Sequence, residues 1–320
     1  MATWRLWDEQ IEALRPQARE AVAAGMGPLA VMLGRQDSPP ADPFERARRQ
    51  RERYEASFAP SPEVHDREIA GVRCRVFRPK GDVRAVYLHF HGGGMVTGAP
   101  EMNDLGNVMV GNAFGLAVVS VDYRLAPEHP FPAGPDDGFA VATWIVEHGA
   151  AEFGSGRMVI GGESAGGYLA AAVLLRMRDA GIAGGVLGAN LVFGIFDWGR
   201  SPSQRGLRPH VGPDVLDPEG LEFFQECFLP GMTDDQRRDP RISPAFADLS
   251  DLPPALFSVG STDHLLDDTL MTAVRWSAFG NDTEVFVAPD MPHAFMAFSC
   301  AITDAWGEVT RNWLTRILAA

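Results

Sequence analysis

The sequence predicts an α/β fold: a mostly parallel, doubly wound, eight-stranded sheet with helices on both faces. Six nearly continuous apolar runs are typical of strands buried on both faces, and helical segments lie between most of them. The apolar runs span residues 83–90, 116–121, 158–161, 186–192, 255–259 and 283–287. The helical segments span residues 101–114, 136–148, 168–180 and 267–279, and a closing helix spans 304–319.

The first sixty residues carry no strand pattern and predict two amphipathic helices. The first covers residues 8–24 and is expected to end at Gly25, and the second covers 42–58, with Asp42 as N-cap and Pro43 in its first turn. The second helix interleaves arginines with glutamates, which predicts a solvent-facing surface. Its arginines are Arg46, Arg48, Arg49, Arg51 and Arg53.

Residues 64–79 alternate apolar and polar side chains around Gly71, which predicts an antiparallel hairpin at one edge of the sheet. The connection 193–254 is about sixty residues long, more than a simple crossover needs. We expect an insertion there, with a helix over 218–229, above the carboxyl ends of the strands. The predicted organisation is N-terminal cap helices (1–60), the first part of the core (61–197), a cap insertion (198–240) and the second part of the core (241–320).

The composition is that of a soluble globular protein and argues against several partners. The chain has 320 residues, 46% of them apolar, and a formal net charge of −14, whereas nucleic acids and anionic membranes require a basic face. No apolar run is long enough to span a bilayer, and residues 1–9 lack the apolar stretch of a signal peptide. Cys74, Cys227 and Cys300 match no metal or redox spacing. We expect a cytoplasmic protein with reduced thiols, no metal and no cofactor.

The stretch Gly162–Gly166 is the centre of the predicted site. It lies between the apolar run at 158–161 and the helical segment at 168–180. A serine at such a strand-to-helix turn is held in a strained conformation with its oxygen exposed, and the helix start presents free N–H groups to it. Ser164 is therefore the candidate nucleophile.

A glycine-rich stretch, His91–Gly94, follows the apolar run at 83–90. Three glycines after a buried strand let the backbone approach a ligand closely. The N–H groups of Gly92 and Gly93, with that of Ala165, are expected to form an oxyanion hole. His91 is expected to shape the loop through a hydrogen bond rather than to act as a base.

A nucleophilic serine needs a base, and the base needs an acid to orient it. On a sheet of this kind both follow the serine, the acid first. His293 lies in a short loop after the last strand, and Asp263 lies just past the strand 255–259. Asp290 is a rival acid, although it is close in sequence to His293.

The remaining histidines are not candidates for the base, and two further acids near Asp263 are expected to have a structural role. Five histidines precede the serine, one lies in the insertion, and one adjoins Asp263; these are His65, His89, His91, His129, His148, His210 and His264. Asp267 and Asp268 come a turn after Asp263 and are expected to cap the helix that follows.

Four stretches occur in order and together resemble the hormone-sensitive-lipase-like esterases, the bacterial family IV carboxylesterases of the α/β-hydrolase superfamily. They are HGGG at 91–94, DYRLAPEHPFPA at 122–133, GESAG at 162–166 and DHLLD at 263–267. The resemblance extends from about Val64 to the C-terminus. It implies the α/β-hydrolase fold with a helical cap, a triad of Ser164, Asp263 and His293, and a structural loop at Tyr123–Ala133.

Four positions depart from the family pattern. Glu163 stands where Asp or Thr is usual, His264 replaces a proline, and Ala294 replaces a glycine. Met95 stands where an aromatic residue is common. None of these changes removes a catalytic group, but Glu163 and Met95 lie near the expected pocket and leave the substrate preference open.

The resemblance implies a serine carboxylesterase for small esters with short- to medium-length acyl chains. The same residues are compatible with an amidase or arylformamidase. A third alternative is a non-catalytic ligand-binding receptor on the same scaffold. Plant gibberellin receptors resemble this family and have lost the catalytic histidine, whereas His293 is present here. The unpaired edge at 283–287 predicts a homodimer. The candidate substrate-binding residues are Met95, Glu163, Trp198, Phe223, Phe224, Met291 and Phe295.

Overall fold

The computed structural model describes residues 6–32, 40–207 and 214–320. Residues 1–5, 33–39 and 208–213, the last of which include the excluded base His210, lie outside these ranges. The described strands are β1 (His65–Ile69), β2 (Val72–Phe77), β3 (Ala85–Phe90), β4 (Leu116–Val121), β5 (Met158–Glu163), β6 (Val186–Val192), β7 (Ala255–Gly260) and β8 (Thr283–Ala288). The described α-helices are α1 (Glu9–Glu12), α2 (Arg15–Met32), α3 (Pro43–Ser57), α4 (Asp104–Phe114), α5 (Ala133–Phe153), α6 (Ala165–Asp179), α7 (Pro218–Phe228), α8 (Asp234–Arg237), α9 (Leu266–Ala278) and α10 (Ala301–Ala319).

The eight described strands form one sheet in the order β1-β2-β4-β3-β5-β6-β7-β8. Strands β3 to β8 run parallel, whereas β1 pairs antiparallel with β2 and β2 pairs antiparallel with β4. The predicted fold class and the edge hairpin are therefore confirmed, and β8 forms the opposite edge.

Strand β3 illustrates why the central runs are apolar throughout. Val86, Leu88 and Phe90 point into the core cluster that includes side chains of α5 and α6. Ala85 and Tyr87 point to the other face, into the cluster with side chains of α4 and α10. Because alternate residues of a strand face opposite sides, helices on both faces bury the whole strand.

The N-terminal helix differs from the expectation. Instead of one helix ending at Gly25, the chain forms α1, whose N-cap Asp8 accepts a hydrogen bond from the Ile11 N–H at 2.8 Å, and α2, which continues through Gly25. The Phe298 ring packs against this glycine, where an added Cβ would lie 2.7 Å from the ring. This contact offsets the low helix propensity of glycine, about 1 kcal/mol.

The prediction that the arginines of α3 form a solvent-facing surface is wrong for three of the five, Arg46, Arg51 and Arg53, which are half-buried. Arg46 lies over the ring of Phe223 at 4.0 Å, and the side chain of Arg51 is only 23% exposed. Arg48 and Arg49 are more than half exposed, as expected. The interleaved charges in the sequence therefore did not reveal that one side of α3 faces the protein.

The predicted insertion helix is confirmed as α7 and ends one residue earlier than expected. Its Asp217 N-cap accepts a hydrogen bond from the Gly220 N–H at 2.7 Å, and Pro218 occupies its first turn. Among the helices of the described ranges, none combines the length and apolar character that crossing a bilayer requires.

Candidate active site

Ser164 lies at the sharp turn between β5 and α6. Its backbone has φ 57° and ψ −119°, a conformation that costs a non-glycine residue about 1–3 kcal/mol. The turn fits because Gly162 and Gly166 lack side chains: a Cβ on them would lie 2.2 Å and 2.0 Å from the Phe90 carbonyl oxygen. The predicted strand–turn–helix context is confirmed, and Ser164 directly precedes the N-terminus of α6.

His293 and Asp263 form a hydrogen-bonded line with Ser164. His293, in the loop after β8, has Nε2 3.0 Å from Ser164 Oγ and Nδ1 2.8 Å from Asp263 Oδ2. Asp263, in the loop after β7, also accepts a hydrogen bond from the Leu265 N–H at 2.8 Å. Because the carboxylate accepts the hydrogen of Nδ1, Nε2 faces the serine hydroxyl as an acceptor. The structure thus brings together three side chains that are distant in sequence.

The loop that carries His293 is fixed by close packing. The ring of Phe193 lies edge-on to the imidazole, with 4.6 Å between the ring centroids. A Cβ on Gly260 would lie 2.1 Å from the Met291 carbonyl oxygen, so the end of β7 and the loop after β8 are in direct contact. Ala294 has φ 56° and ψ 33°, a left-handed conformation that glycine adopts without strain.

The glycine loop, residues 92–98, runs beside the serine. A Cβ on Gly92 would lie 3.5 Å from Ser164 Cβ, which places the two backbones in contact. The next three residues, Gly93, Gly94 and Met95, have φ values of 122°, 64° and 64°. Such a run of left-handed conformations is strained at Met95, which is not a glycine.

His91 supports this loop as the sequence predicts. Its Nδ1–H donates a hydrogen bond to the Gly92 carbonyl at 2.7 Å, and its ring stacks on Tyr123 with 4.2 Å between centroids. The Tyr123 hydroxyl in turn donates to the His91 carbonyl at 2.7 Å. Burial lowers the pKa of His91 to about 4, so the imidazole is neutral near pH 7.

Helix α7 lies directly on the glycine loop. A Cβ on Gly94 would lie 2.4 Å from the ring of Phe224, so the ring occupies the space that a side chain at 94 would need. The neighbouring Phe223 packs under the guanidinium of Arg46. Both phenylalanines are half-buried. Of the three pocket residues predicted in the insertion, Phe223 and Phe224 are partly exposed, whereas Trp198 is fully buried.

Four predicted pocket residues belong to the hydrophobic core instead. Met95, Trp198, Met291 and Phe295 are 0% exposed, so none of them presents a solvent-accessible wall. Trp198, for example, packs against the ring of Tyr168 at 5.2 Å between centroids. Apolar residue type alone could not separate core from pocket, because both environments favour it.

Glu163 precedes the serine and is half-buried. Its Oε2 lies 3.1 Å from His89 Nε2 and accepts a hydrogen bond from Asn103 Nδ2 at 3.2 Å. His89 Nδ1 lies 2.8 Å from the Ser120 hydroxyl on β4. The carboxylate is thus engaged by polar groups of the core next to the serine turn.

The rival acid, Asp290, is bound to the N-terminal helix α2. It accepts hydrogen bonds from Arg15 Nε at 2.9 Å and from Arg19 Nε at 2.6 Å. Burial acts to raise the pKa of Asp290, but the hydrogen bonds from Arg15 and Arg19 outweigh it and hold the pKa below its usual range. Asp290 therefore links the N-terminal helix α2 to the histidine loop.

The prediction that Asp267 and Asp268 cap α9 is wrong. Asp267 accepts a hydrogen bond from the Ser203 N–H at 2.8 Å, and Asp268 accepts bonds from the N–H groups of Phe196 and Asp197 at 3.0 and 2.8 Å. Burial raises the pKa of Asp268 to about 7. Both acids connect residues 196–203, in the segment that follows β6, to α9, a long-range contact that no local pattern indicates.

His264, which replaces a proline of the family pattern, makes further contacts with the insertion. Its Nδ1–H donates to the Ser203 carbonyl at 2.8 Å, and its Nε2 lies 3.1 Å from Asp214 Oδ1. The residue next to Asp263 therefore contacts the insertion on both sides of residues 208–213. Sequence reasoning excluded His264 as the base but did not indicate this role.

A mostly parallel eight-stranded sheet, with a serine turn after β5 and acid and histidine loops after β7 and β8, is the architecture of an α/β hydrolase. A family model described as "alpha/beta hydrolase fold" matches residues 87–297. The chain belongs to this family. Within it, the resemblance to the hormone-sensitive-lipase-like carboxylesterases is confirmed by the relatives.

Two relatives illustrate this. The chain is 33% identical to "Carboxylesterase NlhH" of Mycobacterium tuberculosis over 263 residues, 79% of each protein. It is 37% identical to an "Acetyl-hydrolase" of Streptomyces hygroscopicus over 197 residues, 60% of this chain and 61% of that one.

Solved structures agree with the sequence relatives. The crystal structure of a hormone-sensitive lipase from a metagenome library matches with a TM-score of 0.77 at 30% identity, covering 91% of this chain and 97% of that one. A Pyrobaculum calidifontis esterase matches with a TM-score of 0.76 at 30% identity, covering 87% and 94%.

Proposed function

We propose that this protein is a serine carboxylesterase that hydrolyses short- to medium-chain carboxylic esters through an acyl-enzyme. The observation that carries the proposal is the line Ser164 Oγ–His293 Nε2, His293 Nδ1–Asp263 Oδ2, with separations of 3.0 and 2.8 Å. The names of the relatives, a carboxylesterase and an acetyl-hydrolase, support esters as the substrate class.

In the proposed reaction, His293 Nε2 accepts the hydroxyl proton as Ser164 Oγ attacks the ester carbonyl carbon. The carbonyl electron pair moves to oxygen, and the tetrahedral intermediate collapses as Nε2 returns the proton to the departing alkoxide. Water, deprotonated by the same nitrogen, then attacks the acyl-enzyme and releases the acid and free serine. Asp263 fixes the imidazole tautomer and stabilises the imidazolium.

The proposed oxyanion hole consists of the N–H groups of Gly92, Gly93 and Ala165. Ala165 is the first residue of α6, where an N–H has no intrahelical acceptor. In the described loops, no backbone hydrogen bond begins at any of these three N–H groups. Each donor of this kind is worth about 3 kcal/mol in the transition state.

The cap provides the proposed substrate contacts. Phe224 and Phe223 are half-buried on the helix that covers the glycine loop, and Glu163 lies beside the serine. A pocket covered by bulky rings would limit the length of the acyl or alcohol chain that can bind, which supports short- to medium-chain substrates.

Hydrolysis of p-nitrophenyl esters from acetate to decanoate, by the wild type and by Ser164→Ala, tests the proposal. We expect rapid hydrolysis of the shorter esters by the wild type and a rate near the uncatalysed background for the variant. Equal rates for the two proteins would overturn the assignment. Matched ester and amide substrates distinguish an esterase from an amidase, and stoichiometric labelling of Ser164 by an organophosphate would exclude a non-catalytic receptor.

Two further predictions concern the state of the protein. We propose a homodimer that pairs through β8, because this strand is an edge of the sheet and Val285 on it is 45% exposed. We also propose a cytoplasmic location with reduced thiols, on the basis of the cysteine spacing. Sedimentation velocity tests the dimer.

A further inference from the structure

Arg51 on the cap helix α3 connects three segments of the chain. Its Nε donates to the Val96 carbonyl at 2.7 Å, and one terminal nitrogen donates to the Ala126 carbonyl at 2.7 Å. Both terminal nitrogens also donate to the carboxylate of Glu128, at 2.9 and 2.7 Å. One guanidinium therefore joins the cap to the glycine loop and to the stretch 122–133.

The contact at Val96 is made where the backbone most needs support. The three preceding residues have positive φ, and one of them, Met95, is not glycine. Strained backbone persists only where surrounding contacts fix it. Within the loop, the Gly93 carbonyl accepts hydrogen bonds from the N–H groups of Val96 and Thr97 at 3.0 and 2.8 Å.

Ala126 completes the support from outside the loop. Its N–H donates to the Met95 carbonyl at 2.8 Å, and its own carbonyl accepts from Arg51. Arg51 thus holds the Val96 carbonyl and also the residue that holds Met95. A planar guanidinium can satisfy two carbonyls and a carboxylate at once, which the single ammonium of lysine cannot reproduce in the same geometry.

We propose that Arg51 is a positioning residue for the oxyanion hole: by fastening α3 to Val96 and Ala126, it sets the direction of the Gly92 and Gly93 N–H groups. This inference rests on the proposed esterase function. It makes the cap a part of the catalytic apparatus, because the glycine loop takes its working shape only with α3 in place. Arg51 itself touches no reacting atom.

The same helix supplies a matched control. Arg49 lies two residues earlier, its side chain is 52% exposed, and its Nε donates to Glu45 on α3 at 2.7 Å. Changing Arg49 to glutamine removes an arginine from α3 without touching the glycine loop. Arg51→Gln and Arg51→Lys remove the bridging geometry, the second while keeping the charge.

The test measures kcat and KM for p-nitrophenyl butyrate, the melting temperature, and the inhibition constant of an aryl trifluoromethyl ketone. In that inhibitor complex Ser164 Oγ bonds to the carbonyl carbon, the proton moves to His293, and the oxyanion occupies the hole. We expect Arg51→Gln to lower kcat about tenfold to a hundredfold, with KM changed less than about threefold. The inhibition constant should rise by a similar factor, and Arg51→Lys should recover only part of the loss.

Unchanged kcat in both Arg51 variants would overturn the inference, and so would a fall in melting temperature without a fall in kcat. A rise in KM alone would also overturn it, because that result indicates a substrate contact. If Arg51→Gln does not fold, Arg51→Lys decides by the same criteria. Absence of activity in the wild type would refute the esterase proposal itself, whereas an active wild type with equally active Arg51 variants refutes only this inference.

Discussion

The proposed triad, which we call the reacting side, and the proposed cap are built in different ways. Ser164, Asp263 and His293 each lie in a short turn or loop that directly follows a core strand. The cap side consists of α3 and α7, which reach the glycine loop through Arg51 and Phe224. The first arrangement depends on where parallel strands end, and the second on packing between segments far apart in sequence. We therefore expect changes on the reacting side to abolish turnover and changes on the cap side to tune it.

The sharpest test of the reacting side is His293→Gln. The variant loses the ring nitrogen that lies 3.0 Å from Ser164 Oγ and is placed to accept its proton, so we expect kcat to fall about 10⁴-fold or more. His148→Gln, on the exposed side of α5, is the control and should retain wild-type activity. A loss smaller than about tenfold in His293→Gln would show that the base lies elsewhere.

The acid is tested by comparing Asp263→Asn with Asp290→Asn. An amide at 263 favours the wrong imidazole tautomer, so we expect about a 10³- to 10⁴-fold loss of kcat with p-nitrophenyl butyrate. Asp290→Asn should lose less than about tenfold, since that carboxylate is bound to Arg15 and Arg19. The reverse order of the two losses would reassign the acid.

On the cap side, Phe224→Ala should change selectivity more than rate. Removing the ring opens the space above Gly94, so we expect the ratio of kcat/KM for p-nitrophenyl octanoate over the butyrate to rise about tenfold. Phe279→Ala serves as the control, because Phe279 directly follows α9 and is 41% exposed. An unchanged chain-length profile would place the acyl pocket away from Phe224.

The smallest effect is expected where helix α2 meets the histidine loop. The ion pairs of Asp290 lower its folded pKa below the ordinary 3.8, so their stabilisation is present above that pH and is lost as pH falls through the lowered value. Because the pair is partly exposed, we expect Asp290→Asn to reduce the free energy of unfolding by about 1 kcal/mol at pH 7. Urea unfolding should show that the difference in unfolding free energy between the wild type and Asp290→Asn disappears toward low pH. Asp235→Asn is the control, because the side chain of Asp235 is 96% exposed. A difference independent of pH would assign the effect to packing.

The same contrast explains how much the sequence can predict. The apolar run at 116–121 coincides with β4, and the run at 186–192 coincides with β6, because burial on both faces leaves a continuous local signal. The serine turn is likewise visible locally, since Gly162 and Gly166 are needed within a few residues of Ser164.

What the sequence did not reveal depends on partners far along the chain. Gly25 does not end a helix because Phe298 packs on it. Arg51 and Arg49 look alike in sequence, yet one faces the protein and the other faces solvent. Met95 is apolar and adjoins the glycine loop, but its burial could not be deduced from its type. Periodicity identifies elements, whereas the faces that meet are decided by tertiary packing.

The contact between Gly94 and Phe224 links two positions that are 130 residues apart. A side chain at 94 would need a left-handed backbone and would overlap the ring. Substitutions at these two sites should therefore be mutually dependent during evolution: a relative with a residue other than glycine at 94 is expected to carry a smaller residue than phenylalanine at 224. Exchange of helix α7 between relatives should succeed only when the glycine loop is exchanged with it.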